Sequence, residues 1–469
     1  MPGVGRHRSR LAPGHAAIRP AGDQMRQPAE PRLEIKDHIH YLDWLKVLIV
    51  YGVFVFHISL VFAGPRWLVS NHDSSLVLGA FAAFAFPWGI PAMFLIAGGD
   101  SWFGLRSHSR VQFIRGRFLR LVLPLAAGIV LLSPLQRFVT SRNPPPRIEG
   151  LPGFYVDFFR AMRFDWAPEW LSRYGLHLWF LGYLFAITAV CLPALAWLRG
   201  DRGRAAISGV ERATRRRGGI LVFAIPLVLS QVALRQRFPA YQDWADIATY
   251  TLAFMFGAVL ISDRRFEAAI RRDATLVVGL GVGCTLALGA LILGSLPQVR
   301  LGAAPAAAGG AAYAALWSLN IWCWLVAVLY LGIRWLNFPN RVVTYASEST
   351  LPFYVIHHPV VLTVASVAVG WSLPVWPKFA AILVIALTIS LVIYEFLVRR
   401  WNPVRTVFGL KPRHRRGGRP DNVYRGPDDY LAPQVRILAW ARGPDVTGPM
   451  ALIPASAPDQ SVTKGGDSE

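Results

Sequence analysis

The chain has 469 residues, of which 54% are hydrophobic and only 16% charged, a balance that excludes an ordinary soluble domain and reads as a polytopic membrane protein. The formal net charge of +22 would suit a nucleic-acid binder, but the basic residues gather beside apolar runs and not along one polar face, so they report topology and not nucleic acid. Cys191, Cys284 and Cys323 lie in or at the ends of apolar runs with no CxxC spacing, which leaves neither a disulfide framework nor a zinc site.

Residues 1–36 are rich in Arg, Pro, Ala and Gly, lack the apolar core of a signal peptide, and read as a disordered basic arm. Windows of about 20 apolar residues then predict about ten membrane spans. They fall near 42–62, 76–97, 119–135, 176–198, 219–236, 244–262, 274–295, 313–335, 350–369 and 378–398, with the third, fifth and sixth short or interrupted. The connection over 136–175 mixes basic, acidic and aromatic residues and reads as an ordered cap on the membrane body. Residues 297–312 are Gly/Ala/Pro-rich and read as a flexible loop. The expected fold is therefore an all-α membrane domain over 37–410, followed by a polar and mostly disordered tail over 411–469. No repeat of fixed period and no inverted duplication of the transporter kind is visible.

Orientation follows from the basic residues between spans. With the N-terminus inside, Arg106, Arg110, Arg115, Arg117 and Arg120, then Arg199 to Arg217, then Arg264 to Arg272, then Arg334 and Arg341, all fall on the cytoplasmic side. An even number of spans returns the tail, beginning at Arg399 and Arg400, to the same side. The chain is therefore expected to be an integral membrane protein.

Within the first span Lys46 and His57 are separated by ten apolar or small residues. Eleven helical steps amount to about three turns plus 20°, so both side chains share one stripe, about 16 Å apart along the axis. Asp43 falls within about 40° of the same stripe. Ionisable groups in hydrocarbon are costly unless they face protein, water or ligand, which makes this stripe the first candidate site. Taken singly, Lys46 also suits a lysine snorkelling to the interface, and His57 a buried imidazole bonded to a carbonyl. Together they suit chemistry, with a lysine pairing an anionic donor and a histidine accepting a proton near neutral pH.

Lys46-x10-His57, preceded by TyrLeuAspTrpLeu at 41–45, resembles the Arg/Lys-x10-His signature of the membrane acyltransferase-3 family, which includes O-acetyltransferases of surface polysaccharides and glucan succinyltransferases. Further stretches are similar to that family in its own order: MetPheLeuIleAlaGlyGly at 93–99, ArgPheLeuArgLeuValLeuPro at 117–124, HisLeuTrpPheLeu at 177–181, TyrValIleHisHisPro at 354–359 and TyrGluPheLeuValArgArg at 394–400. The likeness covers about 38 to 410. It departs at Ala97-Gly98, where the family has Ser-Gly, so no hydroxyl role carries over to Ala97. No SGNH-type esterase domain is expected in the polar tail.

The resemblance implies a bacterial inner (plasma) membrane and transfer of an acyl group, acetyl or succinyl, from cytoplasmic acyl-CoA as co-substrate to a hydroxyl of a glycan or lipid-linked acceptor. His57 would be general base or transient acyl carrier, and Lys46, oriented by Asp43, would serve the donor's phosphates or thioester oxygen. Arg117 and Arg120 are candidates for the donor or for positive-inside anchoring. His357 takes the family's ninth-span position and is expected on the Lys46 side, with the donor. His177 and Trp179 are candidates for binding the acceptor or for an aromatic belt. Glu395 pairs with Arg399 by spacing, no set of histidines and carboxylates is spaced for a metal, and no permanently bound cofactor is implied. The competing function is a transporter or flippase of a glycolipid or small metabolite, since intramembrane Lys, His and Asp also mark proton-coupled transport.

Overall fold

The computed structural model describes residues 39–64, 67–141, 148–294 and 310–413. The basic arm over 1–36, most of the loop at 297–312 and nearly all of the tail beyond 411 lie outside those residues. Described residues form helices and no strand. In chain order these are α1 (His40–Leu60), α2 (Leu76–Ser107), α3 (Arg110–Arg117), α4 (Leu123–Leu131), α5 (Ser133–Thr140), α6 (Leu151–Ala161), α7 (Trp170–Gly175), α8 (Trp179–Leu198), α9 (Asp201–Thr214), α10 (Ala224–Leu234), α11 (Trp244–Ser262), α12 (Arg265–Gly294), α13 (Ala311–Trp335), α14 (Arg341–Ala368), α15 (Val375–Val392) and α16 (Asn402–Val407).

Among the described residues eight helices are long and apolar enough to cross a membrane, and nine if a broken pair counts as one span. Two expected spans account for the difference from ten. The third is broken: Arg110–Leu131 passes through a wide π-type turn at Phe118–Val122, then meets α5 at a bend of 40°. Pro134 near the start of α5 lacks an N–H and favours a fresh helix start at that bend. The fifth, Gly219–Leu234, is apolar but at 1.5 Å per residue falls short of the roughly 30 Å hydrocarbon core. It opens at Gly218, whose φ of +78° suits glycine, and packs against α13.

Helix starts are fixed locally by side chains that replace missing backbone partners. Ser75 accepts from Leu78 N at the start of α2, Asn340 from Val342 N (2.7 Å) at the start of α14, and Ser109 with Gln112 closes a capping box on α3. The described part of the connection after α5 carries α6 and α7, and α7 is tied to the linker before it by Arg173 to Asp165 (3.0 Å) and by the Trp170 indole to the Arg163 carbonyl (2.8 Å).

Packing in a membrane depends on close backbone approach, and two glycines provide it between α2 and α11. A Cβ on Gly98 would stand 1.8 Å from the Phe254 carbonyl oxygen, and one on Gly257 1.8 Å from the Leu95 carbonyl oxygen. Gly98, next to Ala97, therefore has a packing role. α1 lies against α2 and α14, burying Leu42, Leu45, Phe54 and Ile58. Phe353 of α14 stacks on Tyr51 (4.5 Å between ring centres) and meets Phe54 edge-on (5.5 Å). That contact sets the register bringing His57 of α1 to His357 of α14, one turn beyond Phe353.

Alanine at position 98 forces α2 and α11 apart against backbone atoms and should cost about 3 kcal/mol or more. Gly52→Ala, where nothing lies within 4 Å of the new methyl group, serves as the control. Thermal unfolding of the detergent-solubilised protein should show a large loss for Gly98→Ala and almost none for Gly52→Ala.

Candidate active site

Four imidazoles close into a ring within the bundle. His57 and His358 meet edge-on (ring centres 4.6 Å apart), His358 stacks on His177 (4.4 Å, 15°), His177 meets His357 (5.5 Å), and His357 lies beside His57 (5.2 Å). His57 comes from α1, His177 from the tight turn Leu176–Leu178 that opens α8, and the other two from the middle of α14. Leu176 has φ of +51°, a left-handed conformation worth about 1–3 kcal/mol of strain in a leucine, and it directs the next residue inward. His177 is thereby buried between helices, where its Nε2 donates to the Tyr354 carbonyl (3.1 Å). The Tyr354 hydroxyl donates back to the His177 carbonyl, so the two chains clamp each other.

The partners fix the tautomers. His357 Nδ1 must donate to the Phe353 carbonyl (3.1 Å), which leaves its Nε2 as an acceptor. His57 Nδ1 donates to that Nε2 at 3.0 Å, so the lone pair of His57 is on Nε2. His358 Nδ1 donates to Gln136 Oε1 (2.6 Å), and Gln136 is held the right way round because its Nε2 donates to the Leu132 carbonyl (3.1 Å). His358 therefore also carries its lone pair on Nε2, and His177, donating from Nε2, carries its own on Nδ1. That Nδ1 is buried without a hydrogen-bond partner. His57 is half-buried while His177, His357 and His358 are buried, which makes His57 the accessible member. Pro359, next to this pair, lacks the N–H that would occupy the Val355 carbonyl and loosens the α14 backbone on the side that receives His177.

At the other end of α1 the polar groups are charged. Lys46 Nζ lies 3.0 Å from Asp100 of α2 and 3.5 Å from Asp43, and Asp43 is within 3.4 Å of the Ser347 hydroxyl. Arg117 donates to Ser101 (2.9 Å) and lies over the Phe113 ring. These groups edge a cavity of about 170 Å³, lined by Lys46, Asp100, Arg117 and Arg120 at its polar end and by Phe180, Leu181 and Tyr354 at its apolar end. Tyr354 thus forms a wall of the cavity with its ring while its backbone carbonyl holds His177. Gly409 and Lys411 complete the lining from beyond the last span. That segment is tied down by Arg405, which reaches Glu348 (3.0 Å) and the Lys411 carbonyl (2.7 Å), and by the left-handed Gly409 (φ +72°) packed against the Arg120 carbonyl.

The structure brings together Lys46, Asp43, Arg117 and Arg120 as one group, and His57 with His177 as another. His357 belongs to the second group: the midpoint of α14 carries it past Lys46 to His57, so its expected place beside the donor cations is corrected. Trp179 is buried in an aromatic cluster with Phe180, Tyr183, Tyr241 and Tyr250, which is a packing position. Glu395 pairs with Arg399 at 2.8 Å, as the spacing implies, and also receives the Tyr345 hydroxyl. Sequence reasoning missed Asp100, Ser101, Gln136, His358 and Trp67. Asp100 carried a signal, a carboxylate at the end of an apolar run without a local basic partner. Gln136, in a short amphipathic helix of a connecting segment, carried none. Among the described residues no group of three histidines, cysteines or carboxylates is arranged to hold a metal ion.

The apolar helices, the cation-lined cavity and the half-buried His57 belong to a membrane-bound O-acyltransferase. The chain belongs to the acyltransferase-3 family, whose acyltransferase domain matches residues 39–395. It is similar to the glucans biosynthesis protein C of Escherichia coli K12, 25% identical over 375 residues that cover 77% of this chain and 91% of that protein. The protein of the same name from Escherichia coli O157:H7 is 24% identical over the same shares. No solved structure matches the chain. Membership of an acyltransferase family decides against transport as the function.

His57 should show Nδ1 protonated and Nε2 bare in nitrogen-15 solid-state NMR of the histidine-labelled protein. His357→Leu removes the acceptor that orients the ring, so kcat should fall about 10- to 100-fold with substrate KM values little changed. An unchanged His57 spectrum in that variant would contradict the tautomer assignment.

Proposed function

We propose that the protein transfers an acyl group from cytoplasmic acyl-CoA to a hydroxyl of a glycan on the far side of a bacterial inner membrane, with His57 Nε2 as general base. The observation that carries this reading is a cavity whose lining includes Lys46, Arg117 and Arg120 at one end and Tyr354, the residue that also supports the histidine ring, at the other. The basic loops favour a cytoplasmic Lys46 end, with both termini on that side. A glucan is the favoured acceptor because the similar Escherichia coli proteins are named for glucan biosynthesis, and acetyl and succinyl remain the candidate groups.

In this reading the cationic end receives the phosphates of the donor, since Lys46 and Arg117 supply charge-assisted hydrogen bonds and Asp100 and Asp43 hold Lys46 ready. About 16 Å of helix separates Lys46 from His57, too far for the lysine to stabilise an oxyanion on a carbon that His57 serves. The apolar part of the cavity takes the pantetheine arm and leads the thioester towards His57. Nε2 removes the proton of the acceptor hydroxyl as its oxygen attacks the thioester carbonyl. Collapse of the tetrahedral intermediate forms the ester and releases the thiolate, which takes the proton back from His57. His357 holds the Nδ1 proton in place throughout and is a positioning residue.

His57→Ala should lower acyl transfer by about 10²–10⁴-fold in reconstituted vesicles while labelled acyl-CoA still binds. Lys46→Ala should raise the acyl-CoA KM about tenfold with kcat nearly unchanged. Retained transfer in the first variant would sink the base assignment, and an unchanged KM in the second would remove Lys46 from the donor. An acyl group trapped on His57 in the absence of acceptor would make it a carrier instead of a base.

A further inference from the structure

The loop between α1 and α2 brings one aromatic side chain over the histidine ring. The Trp67 indole lies parallel to the His57 imidazole (14°, centres 6.1 Å apart) and edge-on to His358 (5.9 Å). It is half-buried, and its neighbour Leu68 is exposed. The loop is pinned by backbone bonds from Asn71 N to the Val61 carbonyl and from Ser75 N to the Phe62 carbonyl, both 2.8 Å. A buried lysine, Lys378 of α15, also donates to Asn71 Oδ1 (2.8 Å) and to the Val369 carbonyl (3.3 Å). An ammonium withdrawn from solvent to two neutral oxygens fixes the loop that carries Trp67, which points to an indole held in place for a ligand.

The two imidazoles against that indole, His57 and His358, and His177 stacked behind His358 are of one hydrogen-bonding kind. His57 Nε2, His358 Nε2 and His177 Nδ1 all hold lone pairs, because in each ring the other nitrogen is the donor. His177 Nδ1 is a buried acceptor with nothing donating to it. A wall of acceptors beside an aromatic face matches a molecule with many hydroxyl donors on one edge and C–H groups on the other, and its imidazole nitrogens offer no donor to a carboxylate or phosphate.

We infer that Trp67 and His358 form the acceptor subsite, with His177 stacked behind His358 as its support, holding one pyranose ring of a neutral glycan with its C–H face on the indole and its hydroxyls donating to Nε2 of His57 and His358. The inference rests on the reading of His57 as the base for acyl transfer, because it sets the reacting hydroxyl against that nitrogen. It names a neutral sugar over a uronic acid or a phosphorylated one.

Binding without turnover tests it. A short gluco-oligosaccharide is titrated into the His57→Ala protein in nanodiscs, with saturation-transfer NMR as the readout. Adding Trp67→Ala should weaken binding about tenfold or more, and Trp67→Tyr should restore most of it. His358→Leu should weaken it as well, and an oligogalacturonate of the same length should not compete. Acyl-CoA affinity should be unchanged in the Trp67→Ala protein, which reports an intact fold. Equal oligosaccharide affinity with and without the indole, competition by the oligogalacturonate, or no binding to any form would overturn the subsite. Wild-type protein that binds the sugar but never transfers an acyl group would overturn the His57 reading and leave the subsite standing.

Discussion

The hydrogen bond from His57 to His357 is the constraint on which the rest of the site depends. A lone imidazole in a membrane has two equivalent ways to hold its proton and no reason to prefer the useful one. The Phe353 carbonyl, by claiming the Nδ1 proton of His357, removes the choice for both rings in succession. The direction of the chain comes from backbone, which has no second tautomer. The same α14 residue, Phe353, also sets the register of α1 through its ring. Packing and proton placement therefore share one position, and a slip of α1 along α14 would lose both.

The two ends of α1 solve different problems of burying polarity. At the lysine end, the charge is balanced by Asp43 of the same helix and Asp100 of α2 and stays partly open to the cavity, which limits the cost of desolvating it. At the histidine end the bonded partners of the rings are carbonyls, an amide and another ring, with no carboxylate among them. Such a set tolerates low dielectric without a counterion and lets a proton visit and leave. Separation of the two along one helix keeps the charged cluster about 16 Å from the imidazoles.

Much of this was legible in the sequence, for reasons that can be named. Hydropathy finds spans because lipid demands continuous apolar helices, and it fails where helices are shortened or broken inside protein, as at Gly219–Leu234 and at the bend before Ser133. The pairing of Lys46 with His57 on one stripe needed only helical arithmetic. His357 was found by its motif but misplaced, because topology gives the side of the membrane and not the depth at which a residue in mid-span meets its neighbour. Trp179 was left between two readings because an aromatic residue at a helix start looks alike whether it faces lipid, sugar or core. The contribution of Gln136 was out of reach. It depends on a short helix folding back so that one amide meets His358, a contact 222 residues apart in sequence.

The cavity lining runs from Lys46, in the first helix, to Lys411, beyond the last one. Its wall is therefore assembled from both extremes of the membrane domain, and a nascent chain that has inserted only its early helices has no closed binding site to offer. The latch that completes it, Arg405 on Glu348 with Gly409 tucked under Arg120, is among the last parts of the membrane domain to leave the ribosome. Closure of the cavity thus waits for the segment that follows the last membrane-spanning helix, whatever the earlier helices have already packed.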